Sequence, residues 1–153
     1  GAGRPAKYYE TTAKEISVQF PARRYDLLAE LLARVFERVA PDSAAEIAEQ
    51  VGREYGRELA AEVGLARDEG FDTAVTAVAK VLMGVGFENE ANTEERVILT
   101  RFCPFGETAS KHPEIVCKLD QGIVAGLLES ANALGVPVVN PHAHLEEDCV
   151  TEI

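Results

Sequence analysis

The sequence predicts an α+β domain in which N-terminal helices pack on an antiparallel sheet and a later long helix joins them. Three observations predict it. Apolar residues recur at helical spacing through the first half of the chain. β-favouring segments separated by turn residues occur mainly after Gly86. The order is helices, a strand pair, a helix and a strand pair, which is not the alternation that builds a parallel sheet.

The elements follow in chain order. Ala6 to Thr12, with Tyr8 and Tyr9, has the composition of a short strand. Pro21 suits the first turn of a helix, where its missing N–H costs little. Leu27, Leu28, Leu31, Leu32, Val35 and Phe36 then give that helix one apolar face, which serves equally as core or as part of a dimer interface, and Pro41 stops it. Ser43 can cap a second helix carrying Ile47, Val51, Tyr55, Leu59 and Val63, which Gly64 ends. A third helix is expected over 72–83, with Val75, Val78, Ala79 and Leu82 inward and Gly84 and Gly86 at its end. Strands are expected over 87–90 and 96–102, joined by a polar loop at 91–95. Cys103-Pro104-Phe105-Gly106 is a turn. Pro113 opens a long helix reaching Ala133, with Val116, Leu119, Ile123, Leu127 and Leu128 as its stripe, and Gly135 ends it. Two final strands are expected over 136–139 and 149–153.

The chain has 153 residues, enough for one domain with a real core, and 46% hydrophobic with 27% charged residues is the balance of a soluble globular protein. No apolar run reaches bilayer length, and Gly1-Ala2-Gly3-Arg4-Pro5 does not resemble a secretory leader. The start without Met fits a trimmed chain or a piece of a longer protein. The net charge of −11 is unevenly spread. Arg4, Lys7, Lys14, Arg23 and Arg24 against Glu10 and Glu15 leave residues 1–24 at +3, so the rest carries −14. An acidic body repels phosphate, which confines any nucleic-acid contact to the N-terminal end or to sequence beyond this chain.

Three cysteines, an odd number, fit a reducing cytoplasm better than a disulfide framework. Cys103 follows a strand, Cys117 lies in the first turns of a helix and Cys149 begins the last strand. Thirteen residues separate the first two and thirty-one the second two, so the fold, not the local sequence, must bring them together. A helix N-terminus would give Cys117 thiolate character, and backbone N–H groups in the Pro/Gly turn can bond the Cys103 sulfur. His112, His142 and His144 are candidates for a fourth ligand. Three readings stay open on these residues alone: small buried packing residues, a metal or cluster site, and a redox disulfide between Cys103 and Cys117. No nucleophile–base pair stands out, and Glu146-Glu147-Asp148 reads as a solvated acidic loop, so an enzyme is not expected.

The stretch Cys103-Pro104-Phe105-Gly106, then Lys111-His112-Pro113-Glu114-Ile115-Val116-Cys117, then Leu119-Asp120-Gln121-Gly122-Ile123-Val124-Ala125-Gly126-Leu127-Leu128, with His144 and Asp148-Cys149-Val150 at the end, resembles bacterial ArsR/DeoR-like winged-helix regulators whose best-known members repress the Suf iron–sulfur assembly operon. The N-terminus is similar as well. Gly3-Arg4-Pro5-Ala6-Lys7-Tyr8-Tyr9, followed by 20–28, looks like the wing of their DNA-binding domain running into the first sensor helix.

The resemblance implies a wing remnant over 1–20 and a C-terminal sensor domain over 21–153. It implies a cytoplasmic homodimeric repressor holding an iron–sulfur cluster, [4Fe-4S] or [2Fe-2S], through Cys103, Cys117 and Cys149, with His144 a candidate for the fourth ligand, and coupling the state of the cluster to DNA binding. Arg4 and Lys7 would face DNA. Because the groove-reading helices are missing, this chain alone is expected to bind DNA weakly or not at all. The sensor part is also similar to small-molecule-binding V4R-like domains, some of which use Cys for zinc, and zinc is the alternative metal.

Overall fold

A computed structural model describes residues 23–67, 70–133, 135–140 and 148–153. The expected strand over 6–12, the wing remnant over 1–20 with Arg4 and Lys7, and His142, His144, Glu146 and Glu147 lie outside them. The described residues form five helices, α1 (Tyr25–Val39), α2 (Ala44–Val63), α3 (Phe71–Gly84), α4 (Gly106–Lys111) and α5 (Pro113–Ser130), and four strands, β1 (Glu88–Asn92), β2 (Val97–Phe102), β3 (Val138–Asn140) and β4 (Cys149–Glu152). The strands make one antiparallel sheet in the order β1-β2-β4-β3. The α+β architecture is therefore as expected. The short helix α4, absent from the sequence reading, occupies what is otherwise a polar connection between the Cys103 turn and Pro113.

Helix α5 is the centre of the molecule. Pro113 sits at its start, as expected, and ten of its residues, from Ile115 to Leu128, are buried. It ends at Ser130, short of the expected Ala133, and the chain turns through Asn132 at positive φ. The main core joins α5 residues Ile123, Val124, Leu127 and Leu128 to Val75, Val78 and Leu82 of α3 and to Phe87 and Ile98 at the sheet. The inward positions expected for α3, Val75, Val78, Ala79 and Leu82, are all buried. Alternation in β2 puts Ile98 and Thr100 inside, and Thr151 and Val139 continue the same face on β4 and β3.

Helix α2 corrects the sequence reading. Its large apolar residues are the expected packing face, yet Ile47, Val51, Tyr55 and Val63 are exposed and only Leu59 of that set is buried. The face that packs is made of small residues: Ala44, Ala48, Gly52, Gly56 and Ala60. It meets Gly122 and Gly126 of α5 so closely that a Cβ at Gly52 would stand 2.0 Å from the Leu119 carbonyl oxygen, and one at Gly122 2.0 Å from that of Glu49. Backbone-to-backbone approach of this kind needs glycine on both helices. The seam is flanked by polar ties. Glu129 of α5 accepts from Arg53 and Arg57, Gln121 Nε2 donates to Glu49 Oε2 at 2.9 Å, and Gln121 Oε1 accepts from the Val139 N–H at 3.4 Å. Gly64, in the left-handed conformation at φ 66°, ends α2 as expected. Ser43 sits at the cap position but makes no side-chain cap bond.

Helix α1 does not use its Leu face as core within the chain, which leaves the interface alternative standing. Leu27, Leu28, Leu31 and Leu32 are 39–58% exposed, and only Ala33 is buried. The helix touches the rest of the chain along one edge, through Phe36 against Ala44, Ala48 and Ile115, through Lys111 Nζ donating to Glu30 at 2.9 Å, and through the His112–Glu37 pair. Its Leu row is left largely uncovered by the other described residues.

Candidate metal centre

Antiparallel pairing accounts for the first half of the site. The C-terminal end of β2 lies beside the N-terminal start of β4, with Thr100 opposite Cys149. Cys103, three residues beyond Thr100, therefore leaves the sheet at the end where Cys149 enters it. Helix α5 supplies the other half. Cys117 and Asp120 are three residues apart, hence on one face. The two halves meet: the Cys103 thiol feels the charges of Asp120 and Cys149, and the Cys117 thiol those of Cys149, Asp120 and Cys103. The three thiols, from three elements, are thus near enough for their charges to couple, and none is in a disulfide.

Their electrostatics differ from the expectation for Cys117. Burial first, then the nearby thiols and the carboxylates of Asp120 and Glu114, push its thiol up to about 12 instead of favouring the thiolate. The reason is position: Cys117 is the fifth residue of α5, past the first turn where the helix dipole acts. Burial also raises Cys103, to about 11, against the lowering pull of the Phe105 and Gly106 N–H groups at its sulfur. Those two donors are the ones that the Pro/Gly turn is expected to offer. Thiols held this far above neutrality stay protonated until a cation or partner compensates their charge.

Two side chains missed by the sequence reading belong to this end of the molecule. Asp120 is only partly buried as a residue, but its Oδ1 is sealed from solvent and has no hydrogen-bond partner among the described residues. Burial pushes its carboxyl up to about 7. Asn89 of β1 pairs with Thr100, which pairs with Cys149, so the three form one row across the sheet on its inner face. Both amide atoms of Asn89 are also buried without a partner among the described residues. Native folds rarely leave such groups unsatisfied, because each costs about 1–3 kcal/mol. The signal for Asp120 is its spacing of three from Cys117 on an otherwise apolar helix. Asn89 carries none, because strand register is not visible in sequence.

The histidines divide. His112 is buried, and its Nδ1 lies 2.6 Å from Glu37 Oε1, a contact that ties α1 to the α4–α5 junction. His144, with His142, lies outside the described residues. Among the described residues no three His, Cys, Asp or Glu side chains are drawn together as the shell of one metal ion. Three soft sulfur donors are of the type that an iron–sulfur cluster takes, but their placement among the described residues is not that of a metal shell.

A groove of about 1150 Å³ opens between α1, α2, α4 and α5, lined by Leu32, Phe36, Val51, Phe105, Ile115 and Leu119 among others. Phe105 follows Cys103 by two residues, and Leu119 adjoins Asp120. Among the described residues no helix is long and apolar enough to cross a membrane. No family model, no curated protein and no solved structure matches this chain.

Proposed function

We propose that this chain is the sensor part of a winged-helix transcriptional regulator and binds an iron–sulfur cluster through Cys103, Cys117 and Cys149. The observation that supports the reading is the charge coupling of these three thiols, from a turn, a helix and a strand, beside the end of the sheet where Thr100 pairs with Cys149. Bound there, the cluster would supply a redox-labile link. Its loss would release the β2–α4 turn, the β4 start and the first turns of α5 from one another, and so alter the geometry that the sensor imposes on the DNA-binding domain of a homodimer. DNA contact, through Arg4 and Lys7, and the cytoplasmic setting belong to the same reading.

The test is anaerobic reconstitution with ferrous iron and sulfide. The expected product is brown and contains iron and sulfide in equal amounts, and Cys117→Ser should abolish it. A colourless product without bound iron would sink the reading.

The groove favours a second reading, a V4R-like domain that binds a small molecule, with zinc at the cysteines. Its volume is above the usual range for ligand pockets, and its lining combines apolar side chains such as Phe36, Ile115 and Leu119 with charged ones such as Arg24, Glu30 and Lys111. Retention of one zinc per chain in air, with no sulfide, would select it.

A further inference from the structure

Helix α1 is fixed to the body by one side only. Glu30 accepts from Lys111 at 2.9 Å, Glu37 pairs with His112 at 2.6 Å, Ala33 is buried, and Phe36 packs on Ala44, Ala48 and Ile115. These positions are three or four apart and form one face. The side turned away carries Tyr25, Leu28, Leu32, Val35 and Val39, all 51–75% exposed. Their spacing alternates three and four residues, the a/d repeat of a helix that packs on another helix. We propose that this seam is the interface between two copies of the chain, with α1 of one copy packed on α1 of the other and the exposed row of α2 at its margin. The inference rests on the homodimer of the proposed function and uses nothing of its cysteines.

Area and charge identify the occupant as a second copy. Ile47, Val51 and Tyr55 of α2 recur every four residues and are 37–50% exposed. Val51 lines the same groove as Leu32, so the α2 row and the α1 seam are parts of one surface. With Leu27 and Leu31, the two rows leave roughly 900 Å² of apolar surface uncovered per chain, against about 800 Å² per partner in a stable dimer and about 300–600 Å² for the largest apolar patch usual on a monomer. Residues 25–153 carry −14, so copies of the chain repel over most of their surface. Helix α1 carries only −1, with Asp26, Glu30 and Glu37 against Arg34 and Arg38, and none of these stands in the seam. Two acidic chains can therefore meet there. A seam without charge gives a partner of different sequence no electrostatic address, whereas a two-fold axis lays the apolar strip on itself.

The polar ties give the interface a functional consequence. Lys111 ends α4 and His112 stands between α4 and α5, so the inner side of α1 grips the junction that follows the Cys103 turn. A shift of that junction moves the seam, and the partner copy with it.

The experiment is sedimentation equilibrium of the full chain, prepared without metal, at micromolar concentrations. The wild type is expected to be a dimer. Leu28→Glu combined with Leu32→Glu should raise its dissociation constant at least about hundredfold, whereas Val136→Glu, at a 79% exposed valine outside the seam, should change it less than about threefold. Cross-linking of the Leu32→Cys protein with a short bis-maleimide tests the contact without placing charge in the seam. Position 32 is the middle of α1 and lies beside its own copy whichever way the two helices run, so mass spectrometry should find peptides joined through position 32 of both chains. If the double variant loses its helical circular dichroism, the cross-link decides alone. A monomeric wild type, its seam covered by residues 1–22 or kept for a different partner, overturns the proposal and the homodimer with it, and leaves cluster uptake to the reconstitution. A dimer that survives the double substitution, or that yields no peptide joined at position 32, overturns the proposal alone. A wild type that dimerises through this seam but takes up no iron removes the cluster reading and leaves the interface in place.

Discussion

The two ends of helix α5 are built on opposite terms. From Gln121 onward, Gly122 and Gly126 meet Gly52 and Gly56 of α2 backbone to backbone, and the polar groups beside the seam are paired: Gln121 with Glu49, and Glu129 with Arg53 and Arg57. Around its N-terminal half, burial holds the Cys103 and Cys117 thiols protonated, and Asp120 and Asn89 keep buried polar atoms without partners among the described residues. A seam whose polar groups are matched has reached its most stable state within the chain. A region that buries unmatched donors and acceptors gives up stability that only a further component can restore. The contrast separates what the fold needs from what it is kept for.

The largest effect that would test the contrast is a pH dependence. In protein stripped of metal, the Asp120 carboxyl is raised to about 7 by burial, against about 3.9 in the unfolded chain. Below the unfolded value both states hold the proton and the group has no effect. Between the two values the folded state keeps a proton that the unfolded chain releases, so stability falls as pH rises. Above the folded value the loss is complete, at about 4 kcal/mol as an upper figure. Urea unfolding of stripped protein from pH 4 to 8 should show this decline, and Asp120→Asn should flatten it. An equal decline in the variant would mean that the carboxyl is hydrated and that this end of α5 is not strained.

The seam is tested by overfilling it. Gly122→Ala adds a Cβ 2.0 Å from the Glu49 carbonyl oxygen, and flexible side-chain motion cannot relieve a clash with backbone. The helices must separate, at a cost of about 3 kcal/mol after the small gain in helix propensity. Gly84→Ala is the control, with nothing within 4 Å of the new carbon, and should change stability by less than about 1 kcal/mol. Denaturant midpoints of the two variants measure the difference.

Legibility in the sequence follows the same division. The α+β order, the span of α3 and the start of α5 at Pro113 are legible, because period and punctuation are local signals. The packing of α1 and α2 is not. A Leu row such as 27-28-31-32 reads as a buried face whether its partner belongs to the same chain or not. In α2 the small residues at 48, 52, 56 and 60 outcompete Val51 and Tyr55 for α5, because only they allow close approach. The three cysteines are legible as a set only through the surrounding motif. Asp120 is hidden within that motif, and Asn89 depends on a register that begins beside an irregularity at Glu88 and Asn89.

The smallest predicted effect concerns that register. Asn89 buries both amide atoms without a partner among the described residues, so replacing the amide with an apolar group of similar size removes a desolvation cost and sacrifices no hydrogen bond. In protein stripped of metal, Asn89→Leu should raise stability by about 1 kcal/mol, read as a higher urea midpoint at unchanged slope. The sign is what matters, because mutations usually destabilise. A loss of similar size would mean that water already satisfies the amide and that the sheet side of the site is as complete as the α2–α5 seam. A gain, coupled with faster loss of iron from the reconstituted variant, would place the amide among groups that the fold retains at its own expense.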